Sequence, residues 1–218
     1  AILVCMHVRW ITGGMTYANS FVYGNILIDA GVLPMAVEPY ATDIDTIVIT
    51  HAHYDHIAHL PEIAAMCGDA AVCIHHADAP GLVDDARSLA IHFGARSPGM
   101  VPDVTLADGD RIGTLLVIHT PGHTPGGISL YDREARLLFS GDTVFTGGSF
   151  GRYDFPGGDR RALAASIERL SGLEVDSLYP GHGEPAQRDG WRHIAAAREA
   201  LRFFDRYSTG GCSGSRRS

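Results

Sequence analysis

The chain has 218 residues, 45% of them hydrophobic and 19% charged, enough apolar material for a single packed core and too much for a disordered protein. A formal net charge of -8 argues against a general nucleic-acid binder, whose affinity comes from clustered positive charge. All 17 basic residues are arginines, so a Schiff-base lysine, a Walker-type phosphate lysine and a lysine nucleophile are excluded.

In chain order, Phe21 to Tyr23 and Ile26 to Asp29 flank Gly24-Asn25 and predict a hairpin. The β-branched run Asp45 to Thr50 predicts a strand that ends in a histidine-rich segment. Pro61 suits the first turn of a helix that Gly68 would close. Leu115 to His119, Arg136 to Ser140 and Ser177 to Tyr179 predict three more strands, each running into a polar, Gly-bearing turn. Between them, Leu163, Ile167 and Leu170 have helical spacing behind Asp159, a natural N-cap. Ile194, Ala197, Leu201 and Phe204 mark a terminal amphipathic helix. The pattern predicts one α/β domain over residues 1–207 and a flexible Ser/Gly-rich tail over 208–218.

Cys5, Cys67, Cys73 and Cys212 form no C-x-x-C pair and no disulfide framework, which predicts a reducing compartment, with buried thiols except for a free Cys212 in the tail. With no charged leader before a long apolar run and no membrane-length segment, the expectation is a soluble, cytoplasmic protein with neither a membrane nor a nucleic acid as partner.

The chemistry concentrates in His51-Ala52-His53-Tyr54-Asp55-His56, directly after a predicted strand. In extended backbone, residues i and i+2 point the same way, so His51 and His53 can present two imidazoles to one metal ion. Asp55 and His56 can then address a second position close by. His123 in Thr120 to Gly126, Asp142 in Ser140 to Thr143 and His182 in Tyr179 to Gly183 each add one ligand-type side chain in a turn after a strand. Taken singly, each reads as a loop or cap residue; together they read as a site. His59, His75, His76, His92, His119 and His193 lie outside these motifs and read as core or surface histidines, while Tyr54 and Tyr179 flank ligand positions.

On these motifs, spread from Asp29 to His182, the sequence resembles the metallo-β-lactamase superfamily and, within it, the glyoxalase II-like hydrolases. The resemblance implies an αββα sandwich, two mixed β-sheets with helices on both outer faces. It implies that His51, His53 and His123 hold one divalent metal ion, that Asp55, His56 and His182 hold a second, and that Asp142 bridges them. Asp29, in Leu27-Ile28-Asp29-Ala30-Gly31, would support the ligand loop without touching metal. Zinc is the expected metal, with iron or manganese as alternatives. The implied chemistry is hydrolysis of a small-molecule thioester or related ester by a metal-bridging hydroxide, with Asp55 as hydrogen-bond and proton acceptor.

An aspartate at the bridging position argues against a true zinc β-lactamase, in which the resemblance implies Cys or Ser, and towards thioester, lactone and phosphodiester hydrolases. The alternative in another reaction class is a persulfide dioxygenase with one iron held by two histidines and an aspartate; a complete second ligand set argues against it. The stretch from Gly148 to Asp159 resembles the loop after the bridging residue in small glyoxalase II-like proteins. There Arg152 either pairs with a substrate carboxylate or pins the loop to Asp154 or Asp159, and Tyr153 is a second candidate substrate contact. The absence of lysine and of a separate C-terminal helical domain departs from the full glyoxalase II pattern and weakens the case for glutathione.

Overall fold

The computed structural model describes residues 7–208, with side chains through residue 203. One sheet is ordered β1 (Arg9–Ile11), β2 (Ser20–Tyr23), β3 (Ile26–Ile28), β4 (Thr46–Ile49), β5 (Ala71–His75), β6 (Val104–Leu106). Its first three strands are antiparallel and β3 to β6 are parallel. The second sheet comprises β7 (Arg111–Ile112), β8 (Leu115–His119), β9 (Ile128–Asp132), β10 (Leu137–Gly141) and β11 (Ser177–Pro180), ordered β11-β10-β9-β8-β7. Only the β10–β11 pair is parallel there. The helices are α1 (Pro34–Val37), α2 (Tyr54–Ile57), α3 (Leu60–Met66), α4 (Arg160–Leu170) and α5 (Gly190–Ser208).

The inner strands β3, β4 and β10 are buried on both faces, which explains why they are near-continuous apolar runs. The two-residue period divides them between layers: Val48 points between the sheets, with Phe21, Ile28, Val117, Leu130 and Phe139. Its neighbours Ile47 and Ile49 point outward, under Leu60 and Ile63 of α3. On the far side, Leu138 and Leu178 meet Leu163, Ile167 and Leu170 of α4 and Ile194, Ala197 and Leu201 of α5. The architecture is the expected αββα sandwich.

The predicted strands and helices are present at or within a residue or two of the expected bounds, and Tyr23 pairs with Ile26 across the expected hairpin. Gly68, just past α3, has φ 70°, the left-handed conformation of a helix-closing glycine. The side chain of Phe204 and the predicted tail beyond Ser208 lie outside the described residues. Strands β1, β5, β6, β7 and β9 were not anticipated; β1, β6 and β7 are two- or three-residue edge strands, whereas β5 and β9 are inner strands, β5 with both of its partners far away in sequence.

Asp159 caps α4 as predicted, Oδ1 accepting from Arg161 N (2.7 Å) and Ala162 N (3.0 Å). Its own N–H donates to Gly122 O at 2.8 Å, so the same residue joins the helix start to the His123 loop. Asp159→Ala should lower the unfolding free energy in urea by about 1 kcal/mol, with Asp159→Asn losing much less. Equal losses in the two variants would show that the cap contributes little.

Candidate metal centre

The site forms where strands of both sheets end. Thr50 and His51 follow β4, Asp29 follows β3, and the loops bearing His123, Asp142 and His182 follow β8, β10 and β11. Because β3 and β4 are parallel, as are β8, β10 and β11, all these carboxyl ends open on one edge of the sandwich. Ligand sites of open α/β sheets form at such an edge.

Two glycines set the close approach of the loops. A Cβ at Gly181 would collide with Asp142 Oδ1 and come 2.8 Å from His56 Cε1, so only glycine lets the β11 loop close over Asp142. Gly122, at φ 129°, has its α-carbon against the backbone of Leu163, which seats the His123 loop on α4.

Asp29 organises the floor. Its Oδ1 accepts from Thr50 N (2.7 Å), and its Oδ2 accepts from Thr50 Oγ1 (2.8 Å) and from the Nδ1–H of His56 (2.8 Å). That last bond turns His56 Nε2 inward, as the nitrogen that a bound cation would take in place of a proton. On the other side, His123 Nδ1–H donates to the Arg152 carbonyl at 2.6 Å, and His123 Nε2 turns inward to 2.8 Å from His53 Nδ1.

The donor atoms of His51, His53 and His123 lie within 4.8 Å of one another, and so do those of Asp55, His56 and His182. Asp142 stands between the two sets. Its Oδ1 is 3.3 Å from His56 Nε2, and its Oδ2 is 3.4 Å from His123 Nε2 and 3.5 Å from His182 Nε2. His182 Nε2 is also 3.1 Å from Asp55 Oδ2. His51, His53, His56, His123 and Asp142 are buried; Asp55 and His182 are partly open to solvent.

Nε2 of His51, His53 and His56 and Oδ1 of Asp142 are buried with no hydrogen-bond partner. Each such atom costs about 1–3 kcal/mol when left unpaired. Four of them converging in one imidazole-and-carboxylate cluster fit a divalent cation, which would satisfy them together.

Burial and then the neighbouring imidazoles push the His51 pKa well below its ordinary value and that of His53 down to about 3, so both rings are neutral, the form that binds metal. His56 is also fully buried, yet Asp29 and Asp142 outweigh that burial and raise it. For His182, burial is outweighed by the hydrogen bond to Asp55 and the charge of Asp142. Asp55 and Asp142 are held low against burial, Asp55 chiefly by His182 and Asp142 chiefly by His56. Both are therefore carboxylates at neutral pH.

The two loop candidates separate. Arg152 lines the rim of the pocket above the cluster, but its Nε and Nη2 donate to Asp154 Oδ1 and Oδ2 (2.9 and 2.7 Å), the loop-pinning arrangement, and its guanidinium lies 4.1 Å over the Phe155 ring. Tyr153 packs against the apolar layer of α4 and α5. Of the histidines outside the motifs, His75 is buried and stacks on His119 across the sandwich with ring centroids 4.1 Å apart.

The chain belongs to the metallo-beta-lactamase superfamily, whose profile matches residues 13–182. It is 30% identical to hydroxyacylglutathione hydrolase GloC of Haemophilus influenzae over 71% of this chain and 76% of that protein. Among solved structures it is similar to TTHA1623 in a di-iron-bound form (32% identity, TM-score 0.74, 88% of this chain and 96% of that one). It is also similar to the BLEG-1 B3 metallo-beta-lactamase (29% identity, TM-score 0.75, 83% and 93%). Among the described residues no helix is long and apolar enough to cross a membrane.

Two supporting residues went unread in the sequence. Asn19 is buried before β2, its Nδ2 donating to the carbonyls of Pro180 (3.0 Å) and Gly183 (2.8 Å), which brackets the His182 turn. Asp78 is buried after β5, with Oδ2 accepting from Ala52 N (3.0 Å) between His51 and His53, and Oδ1 accepting from Gly126 N (2.6 Å) in the His123 loop. A polar residue following an apolar strand was the only signal for Asp78, and beside Ala79-Pro80 it reads as a turn or helix cap. Asp78→Ala should leave both amides buried and unpaired and weaken zinc binding about 10- to 100-fold in chelator competition. Wild-type affinity in the folded variant would show that the two loops hold their geometry without it.

Proposed function

We propose that this protein is a binuclear metal-dependent thioester hydrolase of the glyoxalase II-like kind. The carrying observation is the position of Asp142, whose carboxylate lies within 3.5 Å of His123 of one donor set and of His56 and His182 of the other. In this reading His51, His53 and His123 would hold one divalent ion, Asp55, His56 and His182 would hold the other, and Asp142 would serve both. Zinc is the first choice for an imidazole and carboxylate donor set, followed by iron and manganese.

Bound divalent ions supply acidification of water and polarisation of the acyl carbonyl. The chain's own part begins with Asp55, held as a carboxylate beside His182, which accepts a hydrogen bond from the attacking water and takes up its proton. Asp29 and the Arg152 carbonyl hold His56 and His123 in fixed tautomers, so the site needs little rearrangement during reaction. Overall, water delivers its oxygen to the acyl carbon, the carbon–sulfur bond breaks, and a carboxylate, a thiol and one proton leave. The name of the Haemophilus relative, a hydroxyacylglutathione hydrolase, supports the thioester class.

Protein purified with its metals should contain close to two metal equivalents by elemental analysis and hydrolyse a thioester at neutral pH. Asp142→Ala should lose at least one equivalent and reduce kcat/KM by more than about 100-fold. A single bound iron with oxygen consumption on glutathione persulfide would replace this reading with a dioxygenase, and turnover confined to lactones, phosphodiesters or β-lactams would move it to another hydrolase.

A further inference from the structure

The pocket above the donor cluster has a volume of about 320 Å³, and beyond the ligand-type residues its lining is mostly aromatic: Phe93, Phe145, Phe150 and Phe155, with Leu89. These rings sit on the chemistry. Phe155 meets His53 edge-on with centroids 5.8 Å apart, Phe145 meets His182 likewise at 5.9 Å, and Phe93 packs at 5.1 Å on Tyr54, the neighbour of Asp55. Phe93 nevertheless leaves 45% of its surface open, an exposure that an apolar ligand would cover.

The segment carrying Leu89 and Phe93 is fixed to the ligand loop, since Tyr54 N donates to Ser88 O at 2.7 Å. Leu89 is buried yet has φ 61°, a left-handed conformation that a leucine adopts only when its surroundings impose it. Held this way, it starts the 3₁₀ turn Ala90–Phe93 that carries Phe93 to the pocket mouth. Among the described residues the only arginine in the lining is Arg152, and Asp154 occupies its guanidinium with two hydrogen bonds. An incoming carboxylate would have to displace that partner, whereas an alkyl or aryl group can cover the open surface of Phe93 without breaking a hydrogen bond; the Arg152 guanidinium lies over one face of Phe155.

We propose that the site is specific for thioesters of uncharged apolar acyl groups, medium-length alkyl or aryl, with Leu89, Phe93 and Phe155 as the acyl-binding wall. The reaction in this statement rests on the thioesterase reading; the pocket's preference stands on its own geometry and is tested separately. Hydrolysis then releases an apolar carboxylate and the free thiol, with water supplying the added oxygen and hydrogen.

The metal-loaded protein would be given acetyl, butyryl, hexanoyl, benzoyl and succinyl thioesters of the uncharged thiol N-acetylcysteamine, together with S-lactoylglutathione. The affinity of the matching ketone analogues, with CH₂ in place of sulfur, would be measured by calorimetry. Each added methylene should raise both kcat/KM and analogue affinity about fourfold, the ratio expected for burying one methylene. The succinyl ester and S-lactoylglutathione should fall at least tenfold below hexanoyl. Phe93→Ala and Phe155→Ala should each reduce the hexanoyl-to-acetyl ratio while retaining wild-type metal content.

Active thioesterase with a flat chain-length profile, or with S-lactoylglutathione preferred over hexanoyl, would overturn the apolar specificity and leave the thioesterase reading intact. Analogue affinity that climbs with chain length while no thioester is cleaved would support the apolar wall and overturn the thioesterase reading. Analogues that bind without chain-length dependence would overturn the wall whatever the turnover.

Discussion

The carboxylate of Asp29 is the interaction on which the site's order depends. It sits where β3 hands over to the loop, at φ 59°, and takes three hydrogen bonds: the Thr50 amide, the Thr50 hydroxyl and His56. The first two lock the start of the histidine segment to the end of the neighbouring parallel strand. The third selects the His56 tautomer and directs its other nitrogen into the cluster. A buried carboxylate that satisfies three donors can afford its desolvation, and the left-handed backbone places it where all three are reachable. Removing it would leave an amide, a hydroxyl and a ring N–H unpaired in the sandwich interior, immediately beneath the donors.

Electrostatics divides the cluster in a way that position alone does not. His51 and His53 are buried mainly among other imidazoles, so burial dominates and both are neutral. His56 is equally buried but stands between Asp29 and Asp142, and His182 leans on Asp55, so carboxylates reverse the effect of burial for these two. The asymmetry follows the chain. Residues on the extended strand exit see mainly rings, whereas α2 and the β11 turn bring their histidines against acids.

Much of this arrangement was legible in the sequence because it is local. The β-branched run Ile47, Val48 and Ile49 before Thr50 and His51, the Gly24-Asn25 hairpin and the Asp159 cap each depend on a few adjacent residues. What was not legible is non-local. Strand β5 pairs with β4 and β6 in parallel, a register set by partners such as Thr46 for Ala71 and Val104 for Cys73, far away in sequence. Asp78 looks like an ordinary turn aspartate until Ala52 and Gly126 are seen to converge on it. The loop containing Arg152 is the instructive case: the side chain attracted notice as an anion clamp or a loop pin, and it pins the loop to Asp154, whereas the contact that orients a ligand-type residue is its backbone carbonyl on His123. A carbonyl has no sequence signature, since every residue carries one.

The division of labour between these loops bears on how the family's scaffold can change substrates. The donors are tied to strand ends and to one another by Asp29, Asp78 and Asn19, all buried and all hydrogen-bonded to main chain or ligand side chains. The aromatic wall comes from different segments: the turn Ala90–Phe93, which packs on Tyr54 beside the donors, and the loop around Phe145 to Phe155, which touches the donors by ring packing and by main-chain hydrogen bonds. Ring contacts of this kind contribute through area and are only weakly directional, so they can be exchanged without disturbing the tautomers beneath. The Arg152 carbonyl is the exception. It fixes His123 while its side chain and the adjacent Phe155 face the pocket, so changes in that loop must preserve the backbone even where the side chains are free to vary. Specificity in this chain can therefore change most readily at Phe93 and least readily around residue 152, because only the second segment carries a ligand's orientation in its main chain.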